Sequence, residues 1–344
     1  MHAIVIAFTI IEDGENPNAI ALLNTGADYD KLSESLEVIQ DENKHLKSIK
    51  VEYTTIEYFL GADWKFLALC VGIEAANAKY SCIWCTCPSD ELYDISKTWS
   101  ITNEAEGART IEKVKSLAKQ TKRGVQKYSC ARQPLFPSIP IDHVIPDVLH
   151  LFLRICDVLV NLLILELRRL DGIDKSKLQT LDRSTATNVA KYEQFLNEEC
   201  KISFHMYVDK ESKVFKWRDL TGPEKHKLLK EINIVNLFPR IPQATDIQII
   251  WVEFREIYRI LQSCTPLNKD GVESFKDRVR KWMTLFLTVY QTKHVTPYMH
   301  LLVSHIPQFL EMYGTLARNK GLRNFMTISP KTISEVQTTA VQML

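Results

Sequence analysis

Four residues in this sequence carry the chemistry of soft-metal ligands at short spacing: Cys82 and Cys85 in Cys82-Ile-Trp-Cys85, and His300 and His305 in His300-Leu-Leu-Val-Ser-His305. Thiolate sulfur and imidazole nitrogen are the donors that zinc takes at tetrahedral corners, and a Cys-x2-Cys turn holds two sulfurs within reach of one ion. The two halves are too distant in sequence for a zinc finger. An ion held by both would join the first quarter of the chain to its end. Two features leave the ligand set open. Cys87 offers a competing sulfur two residues after Cys85, and two histidines five apart lie roughly 140° apart around a regular helix. Both face one ion only if the helix distorts or ends, and Pro307 supplies a reason for distortion. Two satisfied, non-ligating histidines are the alternative.

Other reactive side chains have ordinary readings beside the chemical ones. Asp63 follows the strand-like run Val51–Leu60 and precedes an apolar, helix-like run through Phe66, Leu67, Leu69, Cys70 and Ile73. A carboxylate there is placed as an active-site acid is, and equally as a helix N-cap. Asp142, His143, Asp147 and His150 open a long apolar helix, where acids favour the helix dipole and caps are the simpler reading. Lys113, Lys115, Lys119, Lys122, Arg123 and Lys127 form a basic stretch, which reads as a solvated helix face or, more sharply, as a contact to nucleic-acid phosphates. The remaining cysteines, Cys70, Cys130, Cys156, Cys200 and Cys264, read as core or incidental. No Gly-x-Ser-x-Gly, Walker loop or dinucleotide fingerprint occurs, and no small-molecule substrate is evident.

The elements that position these residues follow from composition and periodicity. A chain of 344 residues, 45% hydrophobic, can fill a sizeable core, and its net charge of +1 gives no global field toward nucleic acid or anionic lipid. Any such binding is local. Eight cysteines without a secretory signal read as reduced thiols or metal ligands in an intracellular protein. Val148 to Leu170 is interrupted by Arg154, Asp157, Asn161 and Glu166, so no membrane span is expected. The N-terminal part alternates strand and helix signals: strands over Ala3–Ile11, Ala19–Leu23 and Val51–Leu60, and a helix over Leu32–Leu46. Residues 86–145 are polar and loop-rich. Beyond Pro146 the pattern is mainly helical, with a stripe from Leu149 to Leu170 closed by Gly172 and a hairpin around Asp209–Ser212. A capping box at Thr221 and Glu224 follows, then helices near Asp246–Leu261 and Val272–Tyr290.

As a set, Asp63 after a strand, Cys82-x2-Cys85 nineteen residues on, and His300-x4-His305 followed by Pro307 and Gly314 resemble the catalytic core of the V(D)J recombinase large subunit and its Transib-type transposase relatives. The resemblance runs from about Ala3 to Gly314. It implies a helix-rich α+β fold, in which an incomplete RNase H-like mixed sheet carries a long, mainly helical, zinc-bearing insertion. The expected segments are a partial RNase H-like subdomain at 1–75, the Cys-x2-Cys segment and polar connector at 76–145, the helical insertion at 146–313, and a degenerate or disordered tail at 314–344.

Residue by residue, the resemblance makes Cys82, Cys85, His300 and His305 the ligands of a structural zinc, and Asp63 the second of three metal-binding acids. It places the first acid before the segment with which this sequence begins. Arg323 or Phe325 stands where the third, a Glu, belongs. Two-metal phosphoryl transfer needs several hard oxygen ligands around a pair of ions. The expectation is therefore a transposase-derived protein in which Asp63 is vestigial and which neither cuts nor joins DNA, with Mg or Mn entering only if a longer product completes the triad. Alternatives are a non-catalytic DNA- or protein-binding scaffold and a fragment of an active strand transferase. DNA, a second copy of the chain and nuclear residence are what the resemblance implies about partners and location.

Overall fold

The computed structural model describes residues 4–8, 18–23, 28–37, 58–173 and 186–316. Among them the fold is helix-rich α+β, with three two-stranded sheets. The chain divides into two compact units. One gathers Met1–His150, Ser263–Val272 and His300–Leu344, and the other Leu151–Gln262 and Glu273–Met299. The histidine pair, although last in sequence, thus shares a unit with the cysteine pair.

In the first unit, β1 (Ile4–Phe8) pairs antiparallel with β2 (Asn18–Leu23), from Ile4 opposite Leu23 to Phe8 opposite Asn18, with a register shift between Ile6 and Ala7 that skips Ile20. Helix α1 spans 29–37. Its Leu32 and Leu36 are fully buried with Cys70, Leu135, Phe136 and Ile139. Residues 38–57, which hold the rest of the expected helix and most of the expected Val51–Leu60 strand, lie outside the described residues. The strand's end survives as β3 (Leu60–Gly61), parallel to β4 (Val144–Ile145). Helix α2 (Trp64–Val71) follows and stops at Gly72, whose φ of 88° is left-handed. A Cβ at Gly72 would stand 2.2 Å from the Arg132 carbonyl oxygen, so only glycine permits this approach. The same carbonyl region is stitched: Ala131 and Arg132 N–H donate to Gly72 O, and Leu135 N–H to Cys70 O. From here to β4 the chain is mostly irregular, with one eight-residue α-helix, α3 (Ile111–Ala118), capped by Thr110.

The second unit is built from helices. Within α4 (Val148–Leu170), Leu151, Ile155, Leu159, Leu163, Ile164 and Leu167 have no exposure. The expected apolar stripe is therefore a buried face. Arg154 faces Asp157 and Arg169 faces Glu166 in exposed ion pairs. By length and composition α4 could cross a bilayer, but 56% of its most apolar window is buried inside the protein. It ends at Gly172 as the sequence suggests, with Gly172 N–H on Arg169 O and Ile173 N–H on Arg168 O. After α5 (Thr187–Gln194), strands β5 (Met206–Val208) and β6 (Phe215–Trp217) form the expected hairpin. The Asp209 carboxylate closes its turn by accepting from Ser212 N and Oγ. Helix α6 (Gly222–Glu231) opens on the Thr221–Glu224 capping box and leads through α7 (Ile234–Leu237) to α8 (Ala244–Gln262) and α9 (Lys269–Val289). Aromatic rings fill the space between them. Phe152 stacks on His226 at 4.1 Å and on Tyr258 at 4.2 Å, and Trp282 donates from its indole to Ile250 O.

The last helical segment begins as α10 (Pro297–His300), widens into a π turn at Leu301–His305, and resumes as α11 (Ile306–Tyr313). Residues from 317 on, including Arg323, Phe325 and nearly all of the expected tail, lie outside the described residues.

Candidate metal centre

The π turn answers the geometric objection that the histidine spacing raises. Ile306 N–H bonds to Leu301 O, five residues back, so residues five apart come nearly into line where a regular helix would splay them. Pro307 explains why the turn widens there: it has no N–H to offer Val303 O and its ring crowds that carbonyl. The imidazoles of His300 and His305 then sit together, ring centroids 4.9 Å apart and nearly perpendicular.

The cysteines meet them. Cys82 Sγ lies 3.3 Å from His305 Nε2, and Cys85 Sγ lies 3.3 Å from both His300 Nε2 and His305 Nε2. All four donor atoms fall within 4.8 Å of one another, and all four residues are buried. This is a Cys2His2 group able to hold a metal ion, and the only such cluster of three or more ligands among the described residues. Cys87 is not part of it. Its backbone N–H donates to Cys85 Sγ at 3.4 Å while its own sulfur turns to Pro88 O. The backbone of the competing cysteine thus supports the Cys85 ligand.

Electrostatics split the two thiols. Burial opposes ionisation of Cys82, yet hydrogen bonding from Cys85 and attraction to His305 outweigh it and hold the Cys82 thiol well below its ordinary value. Burial, then the Cys82 sulfur, pushes Cys85 well above. Burial lowers His305 in turn, against the opposing pull of the Cys82 sulfur. Such a pair shares a proton that a metal ion would displace from both sulfurs. His300 Nδ1 meets Ser304 Oγ at 3.4 Å, four residues along the same turn.

Sequence reading missed the residue that shapes the cysteine turn. Arg109 is 3% exposed, and its guanidinium is spent on carbonyls: Nε donates to Cys82 O and Cys85 O, Nη1 to Tyr128 O, and Nη2 to Tyr80 O, all at 2.9 Å. Its backbone N–H adds a bond to Trp84 O. Nothing in the sequence around Arg109 announces this. Trp84, between the two ligands, gave more of a signal. It is fully buried, donates to Val144 O at 2.7 Å, and packs against Trp64, His305 and Phe309. Gln308 ties α11 to the same region through Trp99 O and Ile101 N.

The other sequence candidates lie elsewhere. Asp63 is exposed and caps α2, accepting from Phe66 N at 2.8 Å. Asp147 caps α4 through Leu149 N and also bonds His150. His143 bonds Tyr58 O and stacks on Phe59. Lys113, Lys115, Lys119, Lys122, Arg123 and Lys127 lie on α3 and the loop after it; Lys113 pairs with Glu104 at 3.4 Å. No family model matches this chain, and no curated protein matches it.

Proposed function

We propose that this protein is a zinc-clasped scaffold of transposase or recombinase descent, in which the metal is structural and the chain by itself carries out no strand transfer. The buried Cys2His2 group is the observation that carries the zinc reading. Donors around a tetrahedral zinc, with bonds of about 2.3 Å to sulfur and about 2.0 Å to nitrogen, stand roughly 3.3–3.8 Å apart, and three of the four sulfur–nitrogen separations here are 3.3 Å. Two thiolates and two neutral imidazoles suit zinc better than a hard ion such as magnesium. Four protein donors fill the tetrahedron and leave no open position for water or substrate, which is the form of a structural site.

Descent from an RNase H-like strand transferase rests on the order of the motifs. An antiparallel hairpin, a helix and a short strand ending just before Asp63 precede the cysteine pair, as that reading requires. Absence of activity rests on chemistry. The Asp63 carboxylate is engaged as a helix cap, and the resemblance assigns no other acid of this chain to a metal pair. Incubating the full chain with supercoiled plasmid in Mg or Mn tests this: intact plasmid is expected, and nicking that Asp63→Asn abolishes would overturn it.

A further inference from the structure

One surface of the first unit breaks the charge balance of the whole chain. From Lys113 to Ile141 there is no Asp or Glu, while Lys and Arg recur through Arg132. Lys113 is paired with Glu104, and Arg132 lies over the Tyr29 ring. Among the described residues Lys115, Lys119, Lys122, Arg123 and Lys127 have no acidic partner within ion-pair reach. Lys119, Lys122 and Arg123 are exposed, and Gly124 at the loop's turn has nothing within 4 Å of where a Cβ would lie.

Beside these cations stands an aromatic pair. Tyr80 and Tyr128 meet edge to face at 5.1 Å, Gln126 donates to the Tyr80 hydroxyl, and Lys79 lies over the Tyr80 ring. The loop is held at a defined place. Tyr128 and Ser129 both adopt left-handed backbone, with φ of 49° and 59°, a conformation that costs about 1 kcal/mol or more for such residues. Three hydrogen bonds keep them there: Arg109 donates to Tyr128 O, Glu74 N–H donates to Ser129 O, and Ser129 Oγ accepts from Tyr80 N. Arg109 also takes Cys82 O and Cys85 O, so one buried guanidinium anchors both the metal-bearing turn and the end of the cationic loop.

We propose that the surface formed by Lys115, Lys119, Lys122, Arg123 and Lys127, flanked by Tyr80 and Tyr128, binds the phosphodiester backbone of nucleic acid. It deepens the scaffold reading by naming a partner. Repeated cations without acids give sequence-independent attraction to phosphates, and counterion release makes that attraction fall steeply with salt. Tyr80 and Tyr128, both half-buried, place aromatic surface beside the cations. The overall charge of +1 keeps the attraction confined to this surface.

Fluorescence anisotropy of a labelled random-sequence 20-base-pair duplex, with the full chain at low and physiological salt, tests the proposal. Zinc content is measured on the same samples, so that failure of the metal reading is seen separately. With four to five phosphate contacts, affinity is expected to fall roughly 10²-fold between about 50 and 200 mM salt. The triple variant Lys119→Glu, Lys122→Glu, Arg123→Glu should bind far more weakly at low salt and reduce the salt slope by about 3. These side chains are exposed, so folding is spared. A control with Lys276→Glu and Lys281→Glu, both cations already paired in α9, should bind as the unmodified protein does. No binding at low salt, or equal loss in the control, overturns the proposal.

Discussion

The two units hold themselves together by different means. The second depends on helix faces: α4, α6, α8 and α9 bury leucines, isoleucines and stacked rings, their backbone groups pair along the helices, and Lys225–Asp157 and Arg278–Glu253 are ion pairs between them. The first has little regular structure between Gly72 and Val144, so its backbone groups are satisfied by special pairings. These are a buried arginine on four carbonyls, a tryptophan on a fifth, and a thiol and imidazole cluster at the centre. Helix packing is spread over many apolar contacts and tolerates loss of one. A fold pinned by a few buried polar groups does not, because each missing partner strands another in low dielectric.

That contrast is sharpest under chelation. A structural zinc site of this donor set contributes on the order of 10 kcal/mol at neutral pH, comparable to the net stability of a whole domain. Removing metal from the full chain with a strong chelator should therefore expose the first unit to protease, while the helical signal of the second persists. Loss of all helicity together, or no change in cleavage, would break the comparison.

A matched pair of substitutions probes it more finely. Arg109→Leu leaves four carbonyls without their donor, each costing about 1–3 kcal/mol when buried and unsatisfied, so it should cost at least about 3 kcal/mol. Leu163→Ala in α4 deletes a fully buried side chain and should cost about 2–5 kcal/mol by cavity formation. The discriminating readout is zinc retention: Arg109→Leu should release metal at lower chelator concentration, and Leu163→Ala should not. Equal retention would mean that Arg109 packs the unit without shaping the turn.

The smallest effect concerns a cap in the second unit. Hydrogen bonding from Arg218, with help from Thr221, lowers the Glu224 carboxyl to about 2 from an ordinary 4.5. Because the folded value is the lower one, the carboxylate's contribution is present above about pH 4.5 and fades as pH falls toward 2. Glu224→Gln should therefore melt lower than the unmodified protein at neutral pH, with the gap closing across that acid range. A gap independent of pH would show that the side chain's shape, not its charge, is what the cap uses.

How legible all this was depended on how local the physics is. The capping box, the Asp209 turn, the α4 stripe and its glycine stop are decided by residues a few positions apart, and the sequence shows them. The ligand pairs were legible as types and spacings. Pro307 announced a distortion between the histidines, but not that it would be a π turn, and Cys87 is set aside only by the direction of its sulfur. Arg109 was invisible because its partners are backbone carbonyls from Tyr80, Cys82, Cys85 and Tyr128, groups that every residue carries. Asp63 had two readings in the sequence, and its contact with Phe66 N is the cap.

Zinc stoichiometry of the purified full chain by elemental analysis, beside Cys82→Ser and His305→Ala, tests the central claim most directly. One zinc per chain, lost in both variants, is the predicted result, since the two residues lie 223 positions apart and share one ion only if the clasp closes. A folded protein without zinc, or zinc retained in either variant, would contradict it.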